Sequence, residues 1–431
     1  MVGFWSVLLG GLTLLASSGL ALGAALGLTG FLLLEFVAGG STFVAVDAVW
    51  NVLNSFTLSA IPMFIILGEI MLRSGVSERI YNSLSPLFQR VPGGLLHTNI
   101  AVCTLFGAVS GSSLSTAAAV GSVAYPEMTE RGYDRKTVVA SLAGGGTLGL
   151  LIPPSLSLLI FGALTETSIG QLFLAGILPG LLIAAIFMAF IFLRCLANSS
   201  LAPTAVSEHR ATDILFNILS LWPFGLLILS IMGSIALGFA TPTEAAGVGV
   251  IATIIVGRFW GTLTPKTLVE AFYSAILLYA SITFVVIAAT ILAQAVSLLA
   301  IPQAILETVR ASNFGPLTVL ASVVLVYLIL GCFFDGLSLM IMTLPIVFPL
   351  MTSLGFEAVW LGVIITIMIE IGQVTPPVGL NLSVLVSITK EEVTLGEAAV
   401  ATIPYWLILL CGVGLLTASP QIALYLPGLL M

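Results

Sequence analysis

The sequence predicts an all-α polytopic membrane protein, with about ten transmembrane spans and two re-entrant hairpins arranged as inverted repeats. Three observations lead there. Of 431 residues, 59% are hydrophobic and only 7% charged, whereas soluble domains average roughly a quarter charged residues. The apolar residues form many continuous stretches of 15 to 30 residues, and about 20 cross a bilayer core. Glycines and prolines of the two halves also coincide when the chain is shifted by 223 residues.

A chain in hydrocarbon must pair every backbone polar group internally, which leaves helices or a closed barrel. Continuous rather than alternating apolar runs exclude the barrel. The 43 glycines and 20 prolines suit membrane helices that pack closely or break. No basic start precedes the first 38 residues, so they read as spans rather than a targeting segment. Cys103, Cys195, Cys332 and Cys411 lie far apart in apolar runs, as buried free thiols rather than a metal or disulfide set. The formal charge of −7 argues against a nucleic-acid partner.

In chain order the apolar runs cover 3–17, 20–38, 58–73, 96–125, 138–165, 171–195, 213–237, 244–257, 268–300, 316–350, 358–386 and 398–418. The domain reading follows from them. Residues 1–57 are N-terminal scaffold spans and 58–197 a first repeat of scaffold helix, hairpin and broken helix. Residues 198–213 link it to a second repeat, 214–418, of scaffold helices, hairpin, broken helix and terminal span, and 419–431 form a tail.

Runs 96–125 and 316–350 are too long for one upright span, and each has a polar centre, Ser110-Gly111-Ser112-Ser113 and Asp335-Gly336. A straight helix of 30 residues is about 45 Å long, against a core of about 30 Å. Basic residues decide how these runs behave, because cytoplasmic loops carry the excess of Lys and Arg. If 96–125 crosses fully, Arg73, Arg79 and Arg90 are separated from Arg131, Arg135 and Lys136. If both runs turn back, eleven of the twelve basic residues share the cytoplasmic side, Arg310 alone lies outside, and both termini are periplasmic.

The repeat needs no gap. Pro126 meets Pro349, Gly132 meets Gly355, Gly149 meets Gly372 and Pro153-Pro154 meets Pro376-Pro377. Ser112 pairs with Asp335, so the two tips are equivalent, and in this topology the hairpins open to opposite sides. Inverted repeats of this kind are common in secondary transporters, with sites near the midplane.

Each repeat ends in a span broken at its centre, Gly149 to Ser155 and Gly372 to Gly379. Proline removes a donor and clashes with the carbonyl one turn back. Two together free carbonyls that a cation can satisfy. Two pseudo-symmetric Na+ sites follow: Ser112 and Ser113 against Gly149, Ile152 and Pro154, then Gly331 and Asp335 against Gly372, Thr375 and Val378. Half-helix N-termini facing the same cavity favour a substrate carboxylate. Ser115, Thr116, Ser155, Pro377 and Asn381 are its candidate contacts, with packing an equally good account of the three hydroxyls. Intramembrane acids are functional suspects. Asp335 is the strongest, while Glu244 reads equally as a helix cap, Glu69 and Glu370 are ambiguous, and Glu35 can simply reach the interface. His97 and His209 are too far apart for a proton relay. No metalloprotease, serine-hydrolase or phosphate-loop motif is present, so the sequence predicts neither an enzyme nor a resident cofactor.

These motifs resemble the large membrane subunit of tripartite ATP-independent periplasmic (TRAP) transporters, within the ion transporter superfamily. The likeness lies in Ser110 to Ala119, Gly149 to Ser155, Ser168 to Gly180, Pro242-Thr243-Glu244-Ala245, Gly372 to Asn381 and Leu426-Pro427. The resemblance implies an elevator-type transporter of a bacterial inner membrane, with Na+ as coupling ion. It also implies a small four-helix membrane subunit, a periplasmic solute-binding protein, and an organic-acid substrate such as a C4-dicarboxylate, keto acid, sugar acid or sialic acid. The alternative is a stand-alone sodium/dicarboxylate symporter that needs no binding protein.

Overall fold

The computed structural model describes residues 6, 10–11, 21–203, 216–312, 314–390 and 392–431. Most of the expected first span 3–17, most of the linker 198–213, and His209 with Arg210 lie outside the described residues. What is described is helical, and one continuous apolar core joins nearly all of it.

The first helices form a scaffold. Helix α1 (Leu22–Leu32, extended by a π turn, Leu33–Val37) is followed by α2 (Phe43–Leu53) and α3 (Ala60–Arg73), the last two bent by 54° at their junction. The apolar pattern did not announce α2, because Asp47, Asn51 and Asn54 interrupt it. The scaffold resumes at residue 222 with α10 (Trp222–Ala236), α11 (Pro242–Phe259) and α12 (Pro265–Leu298). At 34 residues α12 is about 51 Å long. Gly23, Gly27 and Gly30 let α1 lie directly on it: a Cβ on Gly30 would stand 2.8 Å from the backbone nitrogen of Leu292. Small residues at such a seam admit close backbone approach.

Both suspect runs turn back. Helices α5 (Leu95–Ser110) and α6 (Ser113–Glu130) flank Gly111 and Ser112. Near the ends away from that tip, the Asn99 amide meets Met128 Sδ at 3.3 Å and donates to Ser141 Oγ at 2.9 Å. A continuous helix would hold residues 29 apart about 43 Å from each other. In the second hairpin, α14 (Pro316–Gly331) and α15 (Gly336–Ser353), the hydroxyls of Tyr327 and Thr343 hydrogen-bond across the turn.

The expected broken spans are also present. They are α7 (Arg135–Leu151) with α8 (Leu156–Thr165), and α16 (Ala358–Val374) with α17 (Leu380–Ile388). Phe161 packs on Gly362, while Ser157 hydrogen-bonds Thr366 at 3.1 Å. Four residues back on α8 matches four forward on α16, so the two run antiparallel. Long apolar helices α9 (Ile169–Ala197) and α18 (Leu395–Ala418) support them. Amphipathic α4 (Val76–Phe88) and α13 (Ile301–Ala311) were not expected, and residues 419–431, read as a tail, carry α19 (Gln421–Leu430). Among the described residues six helices, with the broken α7–α8 counted as one, are long and apolar enough to cross a membrane, or seven with the bent α2–α3 pair, and several shorter apolar helices accompany them.

The basic residues that argued for the hairpin are linked by contacts. Arg73 reaches Ser274 at 2.7 Å and Glu270 at 3.9 Å, and Arg79 lies over Trp260 at 5.8 Å. Phe88 stacks on His97, Tyr133 accepts a hydrogen bond from the Leu95 amide, Arg135 pairs with Glu392 at 3.6 Å and Lys136 with Glu397 at 2.9 Å. Arg73 and Arg79 are thus tied to α11 and α12, and Arg135 and Lys136 to the segment around the start of α18.

Candidate functional site

The first break arises at Pro153 and Pro154, which have no amide hydrogen to continue α7. Ile152 makes the last regular bond, to the Leu148 carbonyl, and Ser155 restarts the chain by capping α8 through the Leu158 amide at 3.3 Å. Residues 151–160 are all buried. Tip and break are joined directly, since the Leu156 amide donates to the Gly111 carbonyl at 3.2 Å. Gly111 takes a positive φ of 59°, and a Cβ there would sit 2.8 Å from the Pro154 oxygen. Gly107 and Gly149 bring α5 and α7 together, a Cβ on Gly107 falling 2.7 Å from Gly149 Cα.

The second break repeats this construction. The Thr375 amide and hydroxyl both turn back to the Gly372 carbonyl, at 3.3 and 3.2 Å. After Pro376 and Pro377 the Val378 amide donates to the Cys332 carbonyl in the hairpin tip at 3.3 Å. Gly331 and Gly372 play the part of Gly107 and Gly149: a Cβ on Gly372 would lie 2.7 Å from Gly331 Cα. Unlike the first break, this one is open, with Pro376, Pro377 and Val378 exposed.

The structure therefore brings Ser112, Gly149 and Pro154 together, and Gly331, Gly372, Thr375 and Val378 together. A Cβ on Gly149 would meet the Ser112 carbonyl at 2.8 Å and Thr116 Oγ1 at 2.6 Å. Ile152 sends its side chain against Gly180 on α9. Asp335 is exposed and caps α15, accepting from the Ser338 amide at 3.0 Å, as its equivalent Ser112 accepts from Ser115 at 3.3 Å. Caps of this type satisfy amides that a helix start leaves unpaired.

Ser113 turns to the other repeat. Its hydroxyl donates to Glu370 Oε2 on α16 at 2.9 Å and accepts from the Asn381 amide on α17 at 2.6 Å. Of the expected substrate contacts, Ser115 is half-buried and Pro377 exposed, while Asn381 is fully buried at this junction. Thr116 spends its hydroxyl on the Ser112 carbonyl at 2.8 Å and Ser110 Oγ at 2.7 Å. Ser155 and Ser157 both turn to the Leu150 carbonyl, so hydroxyls satisfy that group of the first break.

Glu370 is the residue that sequence reasoning left ambiguous. It is 0% exposed. The available signal was that no other acid occurs in the run 358–386. The other acids are settled locally. Glu244 forms a capping box with Thr241, Glu69 faces Arg73 at 3.6 Å, and Glu35 is exposed. His97 bonds the Pro92 carbonyl at 2.8 Å, a packing role. All four cysteines are free, but only Cys103 and Cys195 are buried; Cys332 is partly open and Cys411 exposed, which corrects the uniform burial expected from the apolar runs. Among the described residues, no group of three His, Cys, Asp or Glu is arranged to hold a metal.

A cavity of about 400 Å³ lies between the α2–α3 bend, α12 and the arm of the second hairpin. Asn51, Ser55, Thr165, Glu166, Thr290 and Gln294 supply its polar groups.

The family described as "Tripartite ATP-independent periplasmic transporter, DctM component" matches residues 9–422. The chain is 34% identical to the C4-dicarboxylate TRAP transporter large permease protein DctM of Pseudomonas aeruginosa, over 94% of this chain and 93% of that one. It is 32% identical to the ectoine TRAP transporter large permease protein TeaC of Halomonas elongata, over 86% of each. Among solved structures, the YdaH transporter of Alcanivorax borkumensis shares the fold at a TM-score of 0.60 and 15% identity, covering 90% of this chain and 91% of that one.

Proposed function

This chain belongs to the DctM family of tripartite ATP-independent periplasmic transporters, a multi-pass membrane transport protein and not an enzyme, and we propose that it drives sodium-coupled uptake of an organic acid. In this reading it sits in the bacterial inner membrane with ten spans, two re-entrant hairpins and both termini periplasmic. A small four-helix membrane subunit accompanies it, and a periplasmic solute-binding protein delivers the substrate. The relatives named for C4-dicarboxylate and ectoine support a small carboxylate-bearing solute.

The observation that carries the reading is the doubled construction of tip and break. In each half a turned-back tip is hydrogen-bonded to an unwound segment, beside a pair of glycines that brings two backbones together. Carbonyls freed at mid-span suit a hard cation without a permanent buried charge. Na+ is assigned to Ser112, Gly149, Ile152 and Pro154 in one half, and to Gly331, Asp335, Gly372, Thr375 and Val378 in the other. The substrate carboxylate belongs between them, near Ser115, Thr116, Ser155 and Pro377. Hairpins and broken helices then move together against α1–α3 and α10–α12, as an elevator.

The experiment is uptake into proteoliposomes holding both membrane subunits, with the binding protein added outside. Uptake is expected only with an inward Na+ gradient and the binding protein. Uptake driven equally well by a K+ gradient rejects the sodium reading. Full uptake without the binding protein rejects the tripartite one.

A further inference from the structure

The junction between the repeats holds two buried oxygens that nothing satisfies, and a third lies one helical turn away. Glu370 Oε2 accepts from Ser113, but Oε1 has no partner. Asn381 donates to the same Ser113 oxygen, but its own Oδ1 has no partner. Gln373 Oε1, one turn along α16 from Glu370, is likewise unpaired and only 8% exposed. Residues three apart share a helix face. All three atoms are acceptors, and among the described residues Glu370 enters no ion pair.

Buried carboxylates without a counter-charge are costly, and buried acceptors without donors add to that cost. A proton on Glu370 would neutralise the charge and add one O–H donor, which can serve at most one of the two amide oxygens. A small hard cation relieves the charge and accepts several oxygens at once.

We infer that Glu370, Asn381 and Ser113 form a further Na+ site, seated between the first hairpin and the second broken helix. It rests on the sodium-coupled reading above but differs from the two tip-and-break sites, because it is not duplicated. Shifted by 223 residues, Glu370 falls on Thr147, Asn381 on Leu158 and Ser113 on Gly336, a set with no carboxylate. The ion's ligands come from both repeats, Ser113 at a hairpin tip and the others on α16 and α17. Its occupancy therefore ties the first hairpin to the second repeat.

The test is equilibrium binding of radioactive Na+ to the purified complex of both membrane subunits, counted per large subunit. Wild type is expected to bind three ions and Glu370→Gln two. The Hill coefficient for Na+ in uptake should fall by about one in the variant. Ser113→Ala keeps the carboxylate and should weaken the third site by about tenfold, the loss of one charge-assisted hydrogen bond. Two ions bound in wild type overturn the inference, as do three in both wild type and Glu370→Gln. If Glu370→Gln fails to fold, the wild-type count and Ser113→Ala decide. A wild-type complex that binds no Na+ sinks the sodium reading itself, whereas two ions with normal sodium-driven uptake sink only this site.

Discussion

Substitution of Gly372 by alanine separates the account from a generic effect of helix perturbation. A Cβ at Gly372 would stand 2.7 Å from Gly331 Cα, 2.8 Å from Gly331 O and 3.0 Å from Gly331 C. Carbon atoms in good contact lie about 3.5–4.0 Å apart, so α14 and α16 have to separate by roughly 1 Å. The obstructing atoms are backbone and cannot rotate aside. Overpacking costs about 1–3 kcal/mol, and against backbone the upper part of that range, about 2–3 kcal/mol, applies, offset by about 1 kcal/mol from replacing glycine in a helix. A net loss of about 1–2 kcal/mol corresponds to a factor of about 5–30. That separation falls on the second cation site, because Thr375 is held by the Gly372 carbonyl. Sodium-driven uptake in proteoliposomes should show an apparent Na+ affinity lowered about 5- to 30-fold, with uptake partly recovered at saturating Na+. Gly414→Ala is the control: nothing lies within 4 Å of its Cβ, so it should be neutral or stabilising by up to about 1 kcal/mol. Wild-type Na+ dependence and wild-type melting in Gly372→Ala would refute the reasoning.

Other predictions extend the test. Thr375→Ala should weaken Na+ dependence of uptake while leaving membrane insertion intact, because its hydroxyl orders the second break. Asp335→Ala should do the same and lose in addition about 1 kcal/mol of cap, measurable as melting in detergent; Asp335→Asn should keep the cap and lose only the sodium effect. Wild-type sodium dependence in all three would remove these residues from the site. Cysteines placed at Arg90 and Arg131 should both react with an impermeant thiol reagent from the cytoplasmic side alone; labelling from opposite sides would rule out the first hairpin. Gly30→Leu should lower the melting temperature, since even a Cβ meets the Leu292 backbone at 2.8 Å; unchanged melting would show that the α1–α12 seam is loose.

Both hairpins were legible because two independent signals agreed, a polar centre in an overlong run and the sidedness of the basic residues. Length alone misleads. Residues 265–298 form one unbroken helix of 34 residues, longer than the run 96–125 and one residue short of the run 316–350, because no small polar cluster interrupts them. The breaks were legible because consecutive prolines cannot be absorbed into a helix. What escaped was contact between repeats. Ser113 was assigned to the nearer break, yet it bonds Glu370, 257 residues away, and nothing local in the sequence points there. Helices α2 and α4 escaped for a simpler reason: both mix polar and apolar residues, and an apolar scan passes over them.

The most direct measurement is a high-resolution map of the complex in lipid, recorded in Na+ and again in choline. The account predicts unwound chain at 152–155 and 375–379, with sodium-dependent density against Ser112, Gly149 and Pro154 and against Gly331, Gly372 and Thr375. Identical maps in the two salts, or continuous helix through both segments, would contradict it.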